Sequence, residues 1–176
     1  MSVAGTWGST PADRDLPFPC DRHLAGWDDA LYRAVDVDAS PTTVFRWLCQ
    51  LRVAPYSYDW IDNRGRRSPR TLTPGLDALA VGQRVMTIFD LVEFERERHL
   101  TLRLARAGAL FGDVAVTYLV VPRPPGRSRL VVKLLWLYPR GPVVGRPPRP
   151  CRSAAWRPRG PASHSVRDSD GWAWSA

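Results

Sequence analysis

The chain has 176 residues, of which 44% are hydrophobic and 24% charged, and its formal net charge is +8. This length suits one globular domain with a core and is short for two. The apolar runs are only a few residues long, which excludes a helix of the ~20 residues needed to span a bilayer; with no basic and apolar leader at the start, we expect a cytoplasmic protein.

The positive charge is concentrated at the C-terminal end. Residues 141–176 hold six Arg and two Asp, so half of the net charge lies in the last fifth of the chain. Residues 1–140 are only mildly basic, and all basic residues of the chain except Lys133 are arginines. Nucleic acid is therefore not the expected partner of the domain.

Neither the cysteines nor the histidines form a motif. The three cysteines are Cys20, Cys49 and Cys151, and the three histidines are His23, His99 and His164. The odd cysteine count without a CxxC pair argues against a disulfide framework. The histidines lie near no cysteine or carboxylate at ligand spacing, so we expect no metal site and no cofactor.

The first part of the chain predicts an arm, a strand and a helix. Residues 1–30 contain Pro, Asp and Gly without a sustained period, and we expect a poorly ordered N-terminal arm. The alternation in "LYRAVDVDAS" (Leu31–Ser40) predicts a strand. In "SPTTVFRWLCQL", Ser40 is a helix cap, Pro41 suits the first helical position, and apolar residues recur at helical spacing.

After this helix the pattern changes to strands. A short helical or turn segment is expected at 54–63, and residues 64–82 are irregular. Four strands are then predicted, at 83–95, 98–105, 113–122 and 128–138, with "RPPGR" (Arg123–Arg127) as a hairpin turn. The last strand places Leu134 and Trp136 on one face with Arg129 and Lys133 on the other, which predicts an antiparallel sheet with one buried and one solvent-facing side.

A strand, two short helices and a run of antiparallel strands resemble the layout of the SRPBCC superfamily, the START-related and polyketide cyclase/dehydrase-like domains. The resemblance rests on "YRAVDVDASPTTVFRWLCQL" and "RVAPYSYDWIDN" and covers roughly residues 31–140. It implies an α+β helix-grip fold, in which a curved antiparallel sheet holds a long C-terminal helix over a hydrophobic cavity. It also implies an apolar, lipid- or polyketide-like ligand, with cyclase/dehydrase-like activity left open.

The sequence departs from that layout after Pro139. Seven prolines lie between Pro139 and Pro161, and each interior proline costs a helix about 3 kcal/mol, so the gripping helix is expected to be missing. Two explanations for residues 141–176 stay open: a shift of the reading frame, or a natural Pro/Arg-rich disordered tail. Without the helix, we expect the concave residues Leu102, Leu134 and Trp136 to be exposed.

Aromatic and apolar residues are the candidates for a ligand site. They are Tyr56, Tyr58, Trp60, Phe89, Leu102, Leu134, Trp136 and Tyr138. Their pattern alone favours an ordinary core, whereas the resemblance implies that they line a cavity. The oligomeric state is left open.

Polar candidates for chemistry are fewer. They are Asp59, Arg84, Asp90, Glu93 and Thr117. Asp90 interrupts an apolar face, either as a buried acid or at a bulge that turns it to solvent. The loop "RGRRSPR" (64–70) offers a second function, a basic interaction protein that contacts nucleic acid through this loop and the tail; a solvated loop is the simpler interpretation. No catalytic residue is assigned.

Overall fold

The structure is a computed structural model that describes residues 5–53, 71–106 and 112–139. Its elements are α1 (Pro11–Arg14), α2 (Cys20–His23), β1 (Asp29–Val37), α3 (Pro41–Cys49), a 3₁₀ turn (Gln50–Arg52), β2 (Arg84–Val85), β3 (Phe89–Glu95), β4 (His99–Leu104), β5 (Asp113–Arg123) and β6 (Arg127–Leu137). Within these ranges no helix is long and apolar enough to cross a membrane. The predicted segment 54–63, the basic loop 64–70 and the tail 141–176 lie outside the described residues.

The strands form one six-stranded antiparallel sheet in the order β1-β6-β5-β4-β3-β2. β5 and β6 pair along their whole length, and β1 returns to the far side of β6. Gly126, at φ +64°, lies in the turn that joins β5 to β6, so the predicted hairpin at 123–127 is confirmed. The described part of the chain has an α+β fold with a curved antiparallel sheet, consistent with the helix-grip fold that the resemblance implies.

Helix α3 packs on one face of the sheet, which we call the helix face. Ser40 caps the helix because its Oγ accepts a hydrogen bond from the Thr43 backbone N–H at 3.2 Å. Val44 and Leu48 are buried against Val120 of β5. The helix start predicted from the sequence is therefore confirmed.

Residues 5–28 cover the opposite face, which we call the arm face. Phe18, Cys20 and Leu24 are buried there against the sheet. The sequence predicted residues 1–30 as a poorly ordered arm, but residues 5–28 form a packed segment. This difference arises because the arm is anchored by single apolar residues at irregular spacing, which gives no period to detect.

Two cations of β6 lie beneath the arm. Arg129 donates from Nε and Nη2 to the Asp13 carboxylate at 2.9 and 2.8 Å, and Lys133 pairs with Asp21. The hydrogen bonds from Arg129 hold the pKa of Asp13 well below its usual range although the carboxylate is buried. Because Arg129 and Lys133 are only 8% and 7% exposed, the prediction that this side of β6 faces solvent is wrong.

The segment 83–95 forms two strands where the sequence predicted one. The chain reverses at Met86 and Thr87, whose φ angles are 47° and 66°, and Val85 then pairs with Phe89. Both residues occupy the left-handed region that favours glycine. The missed turn therefore lacks the residues by which turns are recognised.

A β-bulge in β3 decides the position of Asp90. The register shifts between Leu91 and Glu93, which makes Val92 the extra residue. Asp90 lies opposite Arg103 on the arm face, away from the apolar residues of the helix face. Of the two interpretations of Asp90, the bulge is the one observed.

Candidate functional site on the helix face

Side chains cross the helix face in rows because antiparallel partners in register share a face. The middle row runs from β1 to β3 through Leu31, Leu134, Val116, Leu102 and Leu91. The row on one side of it contains Arg33, Val132, Tyr118, Leu100 and Phe94. The row on the other side contains Asp29, Trp136 and Val114 and continues towards Leu104 and Phe89. The face is therefore apolar, with few polar groups.

From Val132 onward, the β6 part of this face is only half-buried, whereas Leu130 is buried beside α3. Leu102 and its neighbours in the middle row of β3 to β5 are buried, but Val132, Leu134 and Trp136 each keep part of their surface exposed. We call these three residues the β6 strip. Of the described helical elements, α3 and the 3₁₀ turn pack on this face, and α3 does so around Val120. The strip consequently offers partly accessible apolar surface.

Five of the eight predicted ligand residues fall within the described ranges: Phe89, Leu102, Leu134, Trp136 and Tyr138. All five are on or next to the helix face, and four of them are half-buried. Leu102 is fully buried in the core, so the expectation that it is exposed is wrong. The other three, Tyr56, Tyr58 and Trp60, lie outside the described residues.

Trp136 and Tyr138 form an aromatic pair at one end of the β6 strip. Their ring centroids are 5.4 Å apart and the ring planes are tilted by 38°. The Tyr138 hydroxyl donates to the Asp29 carboxylate at 2.6 Å, and the Tyr138 backbone N–H donates to Asp28 at 2.9 Å. Asp28, just before β1, and Asp29, its first residue, thus hold Tyr138 in place beside Trp136.

Tyr118 is the polar group at the middle of the face, and sequence reasoning missed it. It lies between Val132 and Leu100 in its row. It packs against two buried clusters of the helix face, one of α3 with Val120 and one around Leu91 and Leu102. Burial raises the pKa of Tyr118 to about 12, so the hydroxyl keeps its proton near neutral pH. The alternation of Val114, Val116 and Tyr118 was the available signal.

The polar candidates from the sequence do not gather on this face. Arg84 pairs with Asp90 at 3.2 Å. The Thr117 hydroxyl accepts a hydrogen bond from the Cys20 backbone N–H at 2.9 Å, beneath the arm. Asp59 lies outside the described residues. Those that are described therefore belong to the arm face or to the sheet edge.

Glu93 lies close to two histidines on the arm face. Its Oε2 is 2.8 Å from His23 Nε2 and its Oε1 is 3.5 Å from His99 Nε2, and Arg22 pairs with it as well. Burial alone would raise the pKa of Glu93, but His23 and Arg22 outweigh it and the pKa is lowered. In the described ranges, no group of three His, Cys, Asp or Glu residues is placed to hold a metal ion.

Neither a protein-family model nor a curated protein matches the sequence. Solved structures similar to the chain include a START superfamily protein from Mycobacterium smegmatis, with 16% identity over 66% of this chain and 81% of that one and a TM-score of 0.42. CalU16 from Micromonospora echinospora has 14% identity over 60% of this chain and a TM-score of 0.39, and the chain spans 58% of its length. A protein from Thermobifida fusca has 17% identity over 62% of this chain and 74% of that one, with a TM-score of 0.40.

Proposed function

We propose that the chain binds an apolar small molecule against the helix face of its sheet. The observation that carries the proposal is the half-buried β6 strip, Val132, Leu134 and Trp136. Ligand sites in proteins are mainly apolar surfaces with a small number of placed polar groups. Tyr118 and Arg33 are such groups in the row that contains Val132.

The charges of the described residues favour this function over contact with nucleic acid. A surface that binds nucleic acid leaves its cations free to contact phosphates. Here, by contrast, Arg129 and Lys133 are buried and paired with acids of the arm. The polar candidates that the structure describes lie on the arm face or at the sheet edge, away from the β6 strip. We therefore propose binding, and we assign no reaction to the site.

The test is the affinity of a neutral apolar probe for variants of the full chain. The probe is the methyl ester of cis-parinaric acid, whose fluorescence rises in an apolar site. Replacing Trp136 by Ala should weaken binding about tenfold, which corresponds to about 1.4 kcal/mol of lost contact. The matched control is Trp7→Ala, because Trp7 is exposed and belongs to the arm.

The same variants separate a ligand site from ordinary packing. If Trp136 lines the site, Trp136→Ala should still melt cooperatively. If Trp136 is a core residue, its loss should lower stability by about 3–5 kcal/mol and leave the probe affinity unchanged. That second result would contradict the proposed function.

A further inference from the structure

Arg33 is a cation on the largely apolar helix face. It lies in β1 between Leu31 and Val35 in the side-chain alternation, and its register partner is Val132 of β6. Its Nη1 donates to the Tyr32 carbonyl at 2.7 Å. A guanidinium has five N–H donors, so most of them remain for another acceptor.

The other arginines inside the strands are mostly paired with acids. Arg84, Arg103, Arg127 and Arg129 each lie within 3.2 Å of a carboxylate. Arg33 has no such partner among the residues that the structure describes. Although Arg33 is exposed, neighbouring protein removes part of its water and lowers its pKa, an effect that a bound anion would offset.

Tyr118 stands two strands away in the same row. The register links Arg33 to Val132 and Val132 to Tyr118. Since neighbouring strands are about 4.8 Å apart, the two backbones are separated by roughly 10 Å, and both side chains rise from the helix face on either side of Val132. A guanidinium and a protonated phenol there are both hydrogen-bond donors.

From this juxtaposition we propose that the molecule bound on the helix face is an amphipathic carboxylic acid. Its carboxylate accepts hydrogen bonds from Arg33 and Tyr118 above Val132, and its apolar body lies along Leu134 and Trp136. Arginine suits this role because its planar fork matches the two oxygens of a carboxylate. The inference rests on the proposed function and names the chemical class of its ligand.

The test compares two probes that differ only in the head group, cis-parinaric acid and its methyl ester. The full chain should bind the acid at least tenfold more tightly than the ester. Arg33→Gln should abolish that preference, Arg33→Lys should retain part of it, and Tyr118→Phe should weaken the acid about threefold. Arg123→Gln is the matched control, since Arg123 is exposed at the end of β5 and has no place in the row; it should change neither affinity.

The outcomes distinguish this inference from the function on which it rests. If acid and ester bind the unaltered chain equally, and Trp136→Ala weakens both, the carboxylate is ruled out while the apolar site stands. Arg33 is then only a charge that keeps an edge strand from pairing with other chains. If Trp136→Ala changes neither probe, the proposed function fails as well. Because the acid and ester are compared on the unaltered chain, the result does not depend on the folding of any variant.

Discussion

Arg129 and Lys133 alternate along β6 with apolar residues of the helix face, which is the pattern of a strand with one side in water. They can be buried because the arm supplies a carboxylate partner to each of them, Asp13 to Arg129 and Asp21 to Lys133. A buried charge is tolerated only when it is paired and hydrogen-bonded. The arm is therefore an electrostatic as well as an apolar cover for this face.

Asp13 should be among the most sensitive acids of the chain. We expect Asp13→Asn to lower the free energy of unfolding by about 3 kcal/mol. Among the described residues, it leaves the exposed Asp36 as the one anionic partner of the buried Arg129. The control is Asp38→Asn, since Asp38 pairs with the neighbouring Arg127 at an exposed site and should cost under about 1 kcal/mol. Denaturant unfolding measures both, and equal costs would contradict the buried ion pair.

His99 should make stability depend on pH around and below the ordinary histidine pKa of about 6.5. Burial lowers the pKa of His99 although Glu93 and Glu95 oppose this, so the folded protein takes up its proton less readily than the unfolded chain. The stabilisation is complete above the ordinary histidine pKa of about 6.5 and is lost as the pH falls towards the folded value. We expect the free energy of unfolding to decrease as the pH falls through this range.

His99→Gln isolates this contribution, because it removes the titrating group and keeps a polar side chain. Its free energy of unfolding should change less with pH than that of the unaltered chain. Glu93 also has a lowered pKa, but its contribution is lost only below the ordinary carboxyl range, outside this window. If the free energies of unfolding of the two proteins change with pH in parallel, protonation of His99 is not linked to folding.

At the scale of elements, α3 depends on the capping residue Ser40, which directly precedes its first residue. Ser40 accepts the Thr43 N–H that would otherwise have no partner, and the helix is only nine residues long. Ser40→Ala should cost about 1 kcal/mol, whereas Ser40→Asp should restore most of it because aspartate is an equally good cap. Thermal unfolding of the three proteins tests this, and equal stability of the Ala and Asp variants would show that the cap contributes nothing.

Elements with a strong local signal were predicted from the sequence, and those defined by distant contacts were not. The alternation of β6 and the Ser40-Pro41 start of α3 are local, and both agree with the structure. The reversal at Met86 and Thr87 has no turn residues to announce it. The arm is held by pairs such as Asp13 with Arg129, which are 116 residues apart, so no window along the chain could reveal it.

The candidate site was predicted in part for the same reason. Trp136 and Leu134 followed from the β6 alternation, whereas Tyr118 and Arg33 become neighbours of Val132 only through the pairing of three strands. Pairing registers depend on the whole sheet and are not written in any one strand. The polar groups of the site therefore required the structure.

At the scale of the whole molecule, the two faces of the sheet have different covers. The arm closes one face with buried apolar residues and ion pairs. On the other face, the described α3 packs around Val120, while the β6 strip stays half-buried. We therefore assign packing to the arm face and ligand binding to the helix face.

The most direct test of this assignment is an NMR titration of the full chain with the methyl ester of cis-parinaric acid. It follows the methyl and indole signals of the residues of β6. Because successive residues of this strand face opposite sides, we predict that the signals of Val132, Leu134 and Trp136 shift on binding while those of Val131 and Leu135 do not. Saturable shifts that alternate in this way would place the ligand on the helix face. Shifts of equal size at both sets of residues, or shifts confined to Val131 and Leu135, would contradict it.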